Sequence, residues 1–184
     1  MAKRPLTRRR ILRTALTLID RDGLDALSMR KLGAALGVEA MALYRHVESK
    51  ERLLDGVAEM MLEELELPST GVASWTDSWT ALARSYRRLA RSHPGAFRLL
   101  ALSPLSMAAR FERARAPVAI LRAAGFDGRQ AARAFRTLLS YADGYLLREL
   151  AERDTDLSPE EAEAAFEFGI RAILAGLERE LAAA

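Results

Sequence analysis

The sequence predicts an all-α protein in two parts. Residues 1–50 form a short N-terminal tri-helical part, and residues 51–184 a larger helical part. Three observations carry this division. Apolar residues recur at helical spacing almost throughout, with no alternating strand pattern of useful length. Cap and breaker residues cut that pattern into short helices near the start and long ones near the end. Charge is also uneven: residues 1–50 hold eleven Lys/Arg against five Asp/Glu, whereas residues 51–184 hold seventeen against twenty. All three lysines (Lys3, Lys31, Lys50) lie in the first part. A basic head on a mildly acidic body points to a polyanion, although on charge alone an ordinary solvated face is an equal alternative.

Taken in order, a first helix is expected over Thr7–Arg21, with Ile11, Ala15, Leu18 and Ile19 on one face and Gly23 closing it in positive φ. Ser28 is the N-cap of a short helix reaching Leu36, "GV" makes a tight turn, and another short helix spans Glu39–His46. Ser49 caps a fourth helix that runs on to Glu66. "LPSTGVAS" (Leu67 to Ser74) reads as a break, followed by a helix over Trp75–Ser92 and a short one over Ala96–Leu102. Ser103–Pro104 starts another, ending near Gly125, and two long helices, Gly128–Arg153 and Pro159–Ala182, finish the chain.

Composition excludes several functions. Half of the 184 residues are apolar, enough for a real core. There is no cysteine, and the two histidines, His46 and His93, lie far apart, so no metal site and no cofactor are expected. The basic start followed by an apolar stretch superficially suggests a secretory signal. Arg13 and Asp20 interrupt that stretch and no small-residue cleavage site follows, so an amphipathic helix with a basic lead is the better reading. No segment approaches the ~18 uninterrupted apolar residues of a membrane span, and a soluble cytoplasmic protein is expected. No nucleophile–histidine–carboxylate set, phosphate-cradling glycine loop or metal quartet is present, so the expected function is not enzymatic.

Two short helices joined by "LGV" after a longer one match the DNA-binding helix-turn-helix, in which the second short helix enters the major groove and its N-terminal residues reach base edges. Those residues are Glu39, Ala40, Met41 and Ala42, with Tyr44, Arg45 and His46 on the outer face at the helix end. Lys50 sits just inside the Ser49 cap, where free N–H groups also attract phosphate. Ser28, Arg30 and Lys31 begin the preceding helix and are placed to grip the backbone. Taken alone, Tyr44 or His46 is more readily a packing or capping residue. The chain has no asparagine and one glutamine, Gln130, so the amide-to-adenine contact is closed to the recognition helix. Glu39 to cytosine, Arg30 or Arg45 to guanine, and Ala40, Met41 or Ala42 against thymine methyls remain open.

The stretch "SMRKLGAALGVEAMALYRHVESKERLLDGVAEMM" resembles the signature of the tetracycline-repressor (TetR) family, above all in "LGV…LY.HV..K..LLD", and the likeness covers residues 7–60. "SW.D" at Ser74–Asp77 and "GF" at Gly125–Phe126 are similar to the tetracycline-type branch. The resemblance implies a homodimeric repressor that binds a palindromic operator in double-stranded DNA and is released by a small-molecule inducer. It makes Arg30, Tyr44, His46 and Lys50 DNA contacts and puts Met29, Ala40, Met41 and Ala42 where bases are read. Where the family's magnesium-tetracycline members present a histidine and an asparagine, this chain has Leu99 and Leu82, which implies a different, more apolar or aromatic inducer.

In the larger domain Trp79, Leu82 and Tyr86 fall at helical spacing, with Leu99, Met107, Phe111, Leu138, Tyr141 and Tyr145 on helices expected opposite. Such a stripe is by itself more often core than cavity; the resemblance and the excess of Tyr and Trp make these nine the expected ligand wall, with Arg98 and Asp143 as polar candidates. The last two helices are long enough to pair along their length, and Gly169, Ala172 and Gly176 allow close approach. Two from each subunit would make an isologous four-helix interface, with an intrachain bundle as the alternative. The rival functions are a helical small-molecule binder and an architectural DNA binder without an inducer.

Overall fold

Thr7 opens the first helix, α1 (Arg8–Asp22), by accepting a hydrogen bond from the Arg10 N–H at 3.3 Å, and Gly23 at φ 87° ends it. A 3₁₀ turn, Leu24–Ala26, leads to Ser28, whose hydroxyl accepts from Lys31 N at 3.2 Å and starts α2 (Met29–Leu36). Gly37 ends α2 in the left-handed region, at φ 69°. Gly33 is needed for a different reason: a Cβ there would stand 2.8 Å from the Val38 carbonyl oxygen, so only glycine lets the turn fold back on α2.

The next helix, α3 (Ala40–Leu43), is shorter than the expected Glu39–His46. After Leu43 the chain tightens, His46 and Val47 both donating to the Leu43 carbonyl at 2.8 and 3.0 Å. Ser49 then caps α4 (Lys50–Leu62), accepting from Arg52 N at 3.2 Å. This helix also stops early, at Leu62 and not Glu66. A distant partner decides this: the Glu66 N–H, which a longer helix would turn inward, donates to Ser85 Oγ at 2.9 Å.

The remaining helices are α5 (Trp75–Ser92), α6 (Phe97–Leu102), α7 (Met107–Ala123), α8 (Gly128–Ala151) and α9 (Pro159–Ala182). Ser158 and Glu161 form a reciprocal capping box at the start of α9, and Pro159 occupies its first position. The computed structural model describes residues 5–67, 74–102, 107–151 and 157–183, with 107–113 described in backbone only. No strand occurs among them. Residues 68–73 of the expected break, the Ser103–Pro104 start, the Arg153 end and the side chains of Met107 and Phe111 lie outside the described residues.

Packing divides the chain into two compact units. The first joins Met1–Glu64 to His93–Arg110. In it α1 packs on α2 and α4, α2 on α3, and α4 on α6, around Ile11, Ile19, Leu32, Leu43, Leu53, Met61 and Phe97. The corner before α6 is clasped to the rest of this unit. Asp20 on α1 accepts from His93 Nδ1 at 2.8 Å and from Ala96 N at 3.0 Å, while His93 Nε2 lies 3.1 Å from Glu64 Oε2 just past α4. Gly95 touches α1 so closely that a Cβ would stand 2.5 Å from the Ile19 carbonyl oxygen.

The second unit, Leu65–Ser92 with Phe111–Ala184, packs α5, α8 and α9 against one another through Leu82, Leu89, Leu138, Leu146, Phe166 and Ile170. Polar bonds cross-link the same three helices. Arg87, almost wholly buried, donates to both Glu149 oxygens at 2.7 and 3.0 Å, and Arg91 adds a 3.2 Å contact to the same carboxylate. Arg84 forks onto Glu167, and that hydrogen bond holds the Glu167 carboxyl below the usual carboxylate range.

Candidate nucleic-acid interface

The helix-turn-helix presents its polar side outward. Arg30, Lys31, Glu39, Met41, Tyr44, Arg45 and His46 are exposed, while Ser28, Ala40, Ala42 and Lys50 are half-buried at its edge. Beneath them Leu32, Leu36, Leu43 and Val47 are buried and fix the angle between α2 and α3. Met29, expected where bases are read, belongs to this buried set, at 9% exposure.

Among the described residues Met41 has the largest exposure of the large apolar side chains, at 74%, and it stands one residue into α3. Leaving so much apolar surface in water at this position has no packing return, because its neighbour Leu43 already fills the core. Glu39 is the N-cap residue of α3, but its side chain makes no capping hydrogen bond and is left to face outward. The Ser28 and Ser49 hydroxyl oxygens accept from helix N–H groups; Ser28 keeps its own proton to donate to phosphate, whereas Ser49 donates to the Glu51 carboxylate and holds it below the usual carboxylate range.

The cations here differ from four of those in the second unit. Among the described residues Arg30, Lys31, Arg45 and Lys50 form no ion pair, whereas Arg84, Arg87, Arg91 and Arg171 are all paired with Glu149 or Glu167. Unpaired positive charge on one face is the electrostatic footprint of a phosphate-binding surface. Sequence reading did not name Arg8 and Arg52, which line one polar cleft with His46 and are paired there with Glu59 at 3.7 Å and Asp55 at 3.6 Å. The signal was there, since Arg52 lies two residues beyond Lys50, but Arg8 reaches the cleft only through the packing of α1 on α4.

The nine ligand-wall residues are distributed unevenly. Trp79, Leu82 and Tyr86 share the buried face of α5, and Leu138 is buried on α8, which packs against it. Tyr86 donates its hydroxyl to Asp143 Oδ1 at 2.7 Å. Tyr141 and Tyr145 face α9: their hydroxyls donate to the carbonyls of Phe166 at 3.1 Å and Ala162 at 3.3 Å, and both rings pack on Phe166. Burial, and then the neighbouring Tyr145, push the Tyr141 phenol up. Leu99 is sealed in the core of the first unit, and Arg98 lines a cleft there with Asp22, Asp25 and Pro94. No helix among the described residues is long and apolar enough to cross a membrane.

Comparison with known proteins agrees with this geometry. The family profile for bacterial regulatory proteins of the tetR family matches residues 11–57, and that for the tetracyclin repressor-like C-terminal domain matches residues 79–173. An HTH-type transcriptional regulator of Saccharopolyspora erythraea is 34% identical over 151 residues; the match takes in 82% of this chain and 64% of that protein's length. A crystal structure of TetR-Q116A from Acinetobacter baumannii AYE in complex with minocycline superposes with a TM-score of 0.81 at 31% identity, covering 96% of this chain and 99% of that one. BioQ, crystallised with its double-stranded DNA operator, gives 0.77 at 26% identity over 94% of this chain and 98% of its own. This chain belongs to the TetR family of bacterial regulatory proteins.

Proposed function

We propose that this protein is a transcriptional repressor that binds a palindromic operator as a homodimer and leaves it when a small apolar or aromatic inducer enters the second unit. The observation that carries the reading is the exposed, basic helix-turn-helix: Arg30, Lys31, Arg45 and Lys50 around α2 and α3 form no ion pair among the described residues, whereas Arg84, Arg87, Arg91 and Arg171 of the second unit do. Membership of a family with an operator-bound and a minocycline-bound relative supports both halves. In this reading residues 1–50 read DNA and residues 51–184 bind ligand and partner, with α4 and α6 completing the compact unit of the head. The protein works in the cytoplasm, where its operator is.

The dimer forms through α8 and α9. Phe168 on α9 is 69% exposed, too large an apolar group to leave in water at the centre of a long helix. Gly176 has open space around it, which suits close approach of a partner helix. Gly169, read from sequence as another such position, makes room instead for Tyr141, whose hydroxyl would collide with any Cβ there. A two-fold dimer presents two copies of α3 to half-sites a helical turn or more apart.

Fluorescence anisotropy on the DNA upstream of the gene for this protein tests the reading. Affinity for that duplex should exceed affinity for scrambled duplex by at least ~10³-fold and fall steeply between 50 and 200 mM salt. Equal affinity for both duplexes would refute it.

A further inference from the structure

We propose that the inducer carries a hydrogen-bond acceptor oxygen on an aromatic frame and takes the indole proton of Trp79. This rests on the ligand-binding reading above and adds to it the chemical class of ligand and the residue that selects it. Trp79 is 5% exposed, yet its Nε1–H meets no acceptor among the described residues. Other polar side chains of α5 and α8 in the second unit are committed. Tyr86 donates to Asp143, Ser85 accepts from the Glu66 N–H, Arg87 holds Glu149, and Tyr141 and Tyr145 donate to carbonyls of α9. A buried donor left bare is costly, and phenylalanine would fill the same space without that cost.

The indole N–H is a donor only, so whatever satisfies it must be an acceptor: a carbonyl, ether or phenolate oxygen and not an amine or a hydrocarbon edge. The surroundings set the rest of the ligand. The Phe135 ring on α8 lies 6.1 Å from the Trp79 ring at 59°, and Phe135 is itself half-buried, so the pair is reachable and offers aromatic surface beside the donor. A flat aromatic ketone satisfies both features.

Two probes of one shape separate the acceptor from the frame. 9-Fluorenone and fluorene share a tricyclic skeleton and differ in the carbonyl oxygen. Equilibrium dialysis against the full chain should show fluorenone held about tenfold more tightly than fluorene, the worth of one buried hydrogen bond. Trp79→Phe should bind both alike while keeping its helical circular dichroism and its operator affinity. Equal binding of the two probes by the unaltered protein, or a preference that survives in Trp79→Phe, would overturn the proposal, and so would retention of neither probe. None of these results would touch the repressor reading, which stands or falls on operator binding.

Discussion

Removing the imidazole at the corner before α6 should cost both stability and its dependence on pH. Both ring nitrogens of His93 face carboxylates, Asp20 at 2.8 Å and Glu64 at 3.1 Å, and a neutral ring can donate from only one. Burial favours the neutral ring, but the hydrogen bonds to Asp20 and then Glu64, with their charges, outweigh it and hold the imidazolium above the ordinary histidine value. The Asp20 bond is shielded from water and the Glu64 bond is half-exposed, so the first contributes about 1.5 kcal/mol and the second about 0.5 kcal/mol. For a chain of this size the resulting ~2 kcal/mol is about 4–8 °C in Tm. Because the folded value is raised, this contribution is complete below the unfolded value, near pH 6.5, and disappears as pH rises through the folded value. Thermal unfolding of the protein and His93→Ala, followed by circular dichroism from pH 6 to pH 9, should show a gap of that size that narrows at the alkaline end, where the neutral ring keeps one donor. A gap that is constant with pH, or smaller than 1 °C at pH 6, would refute the charged clasp.

Three further outcomes are expected. Glu149→Ala leaves Arg87 buried with, among the described residues, only Glu163 as ion-pair partner, 3.6 Å away, and should cost about 3 kcal/mol, read as a lower denaturation midpoint in guanidinium chloride; an unchanged midpoint would remove the network's structural role. Phe168→Glu should turn the dimer into a folded monomer by light scattering and weaken operator binding with it. Lys50→Ala should weaken binding to all duplexes by a similar factor, while Met41→Ala should change the preferred base, which competition among single-base operator variants would show.

What could be read from the sequence was what neighbouring residues decide. Ser28, Ser49 and Ser158 act on N–H groups three positions away, and Gly37 on its own φ, so the caps and the helix-turn-helix were legible. What was not legible depends on residues far apart in the chain. The end of α4 is fixed by Ser85, the His93 clasp joins residues 73 and 29 positions apart, and Gly169 is small because of Tyr141. The same limit applies to the candidate site. The exposed edge of α3 follows from helical spacing, but the burial of Met29 and the commitment of Tyr141 and Tyr145 to α9 depend on tertiary packing.

The central claim is that an unpaired basic face with an exposed Met41 reads a specific duplex. Selection from random double-stranded DNA with the full chain at 150 mM salt measures this directly. The expected product is a two-fold symmetric motif whose half-sites carry thymine where Met41 meets the groove. Recovery of duplexes with no shared motif, or of an asymmetric one, would contradict it.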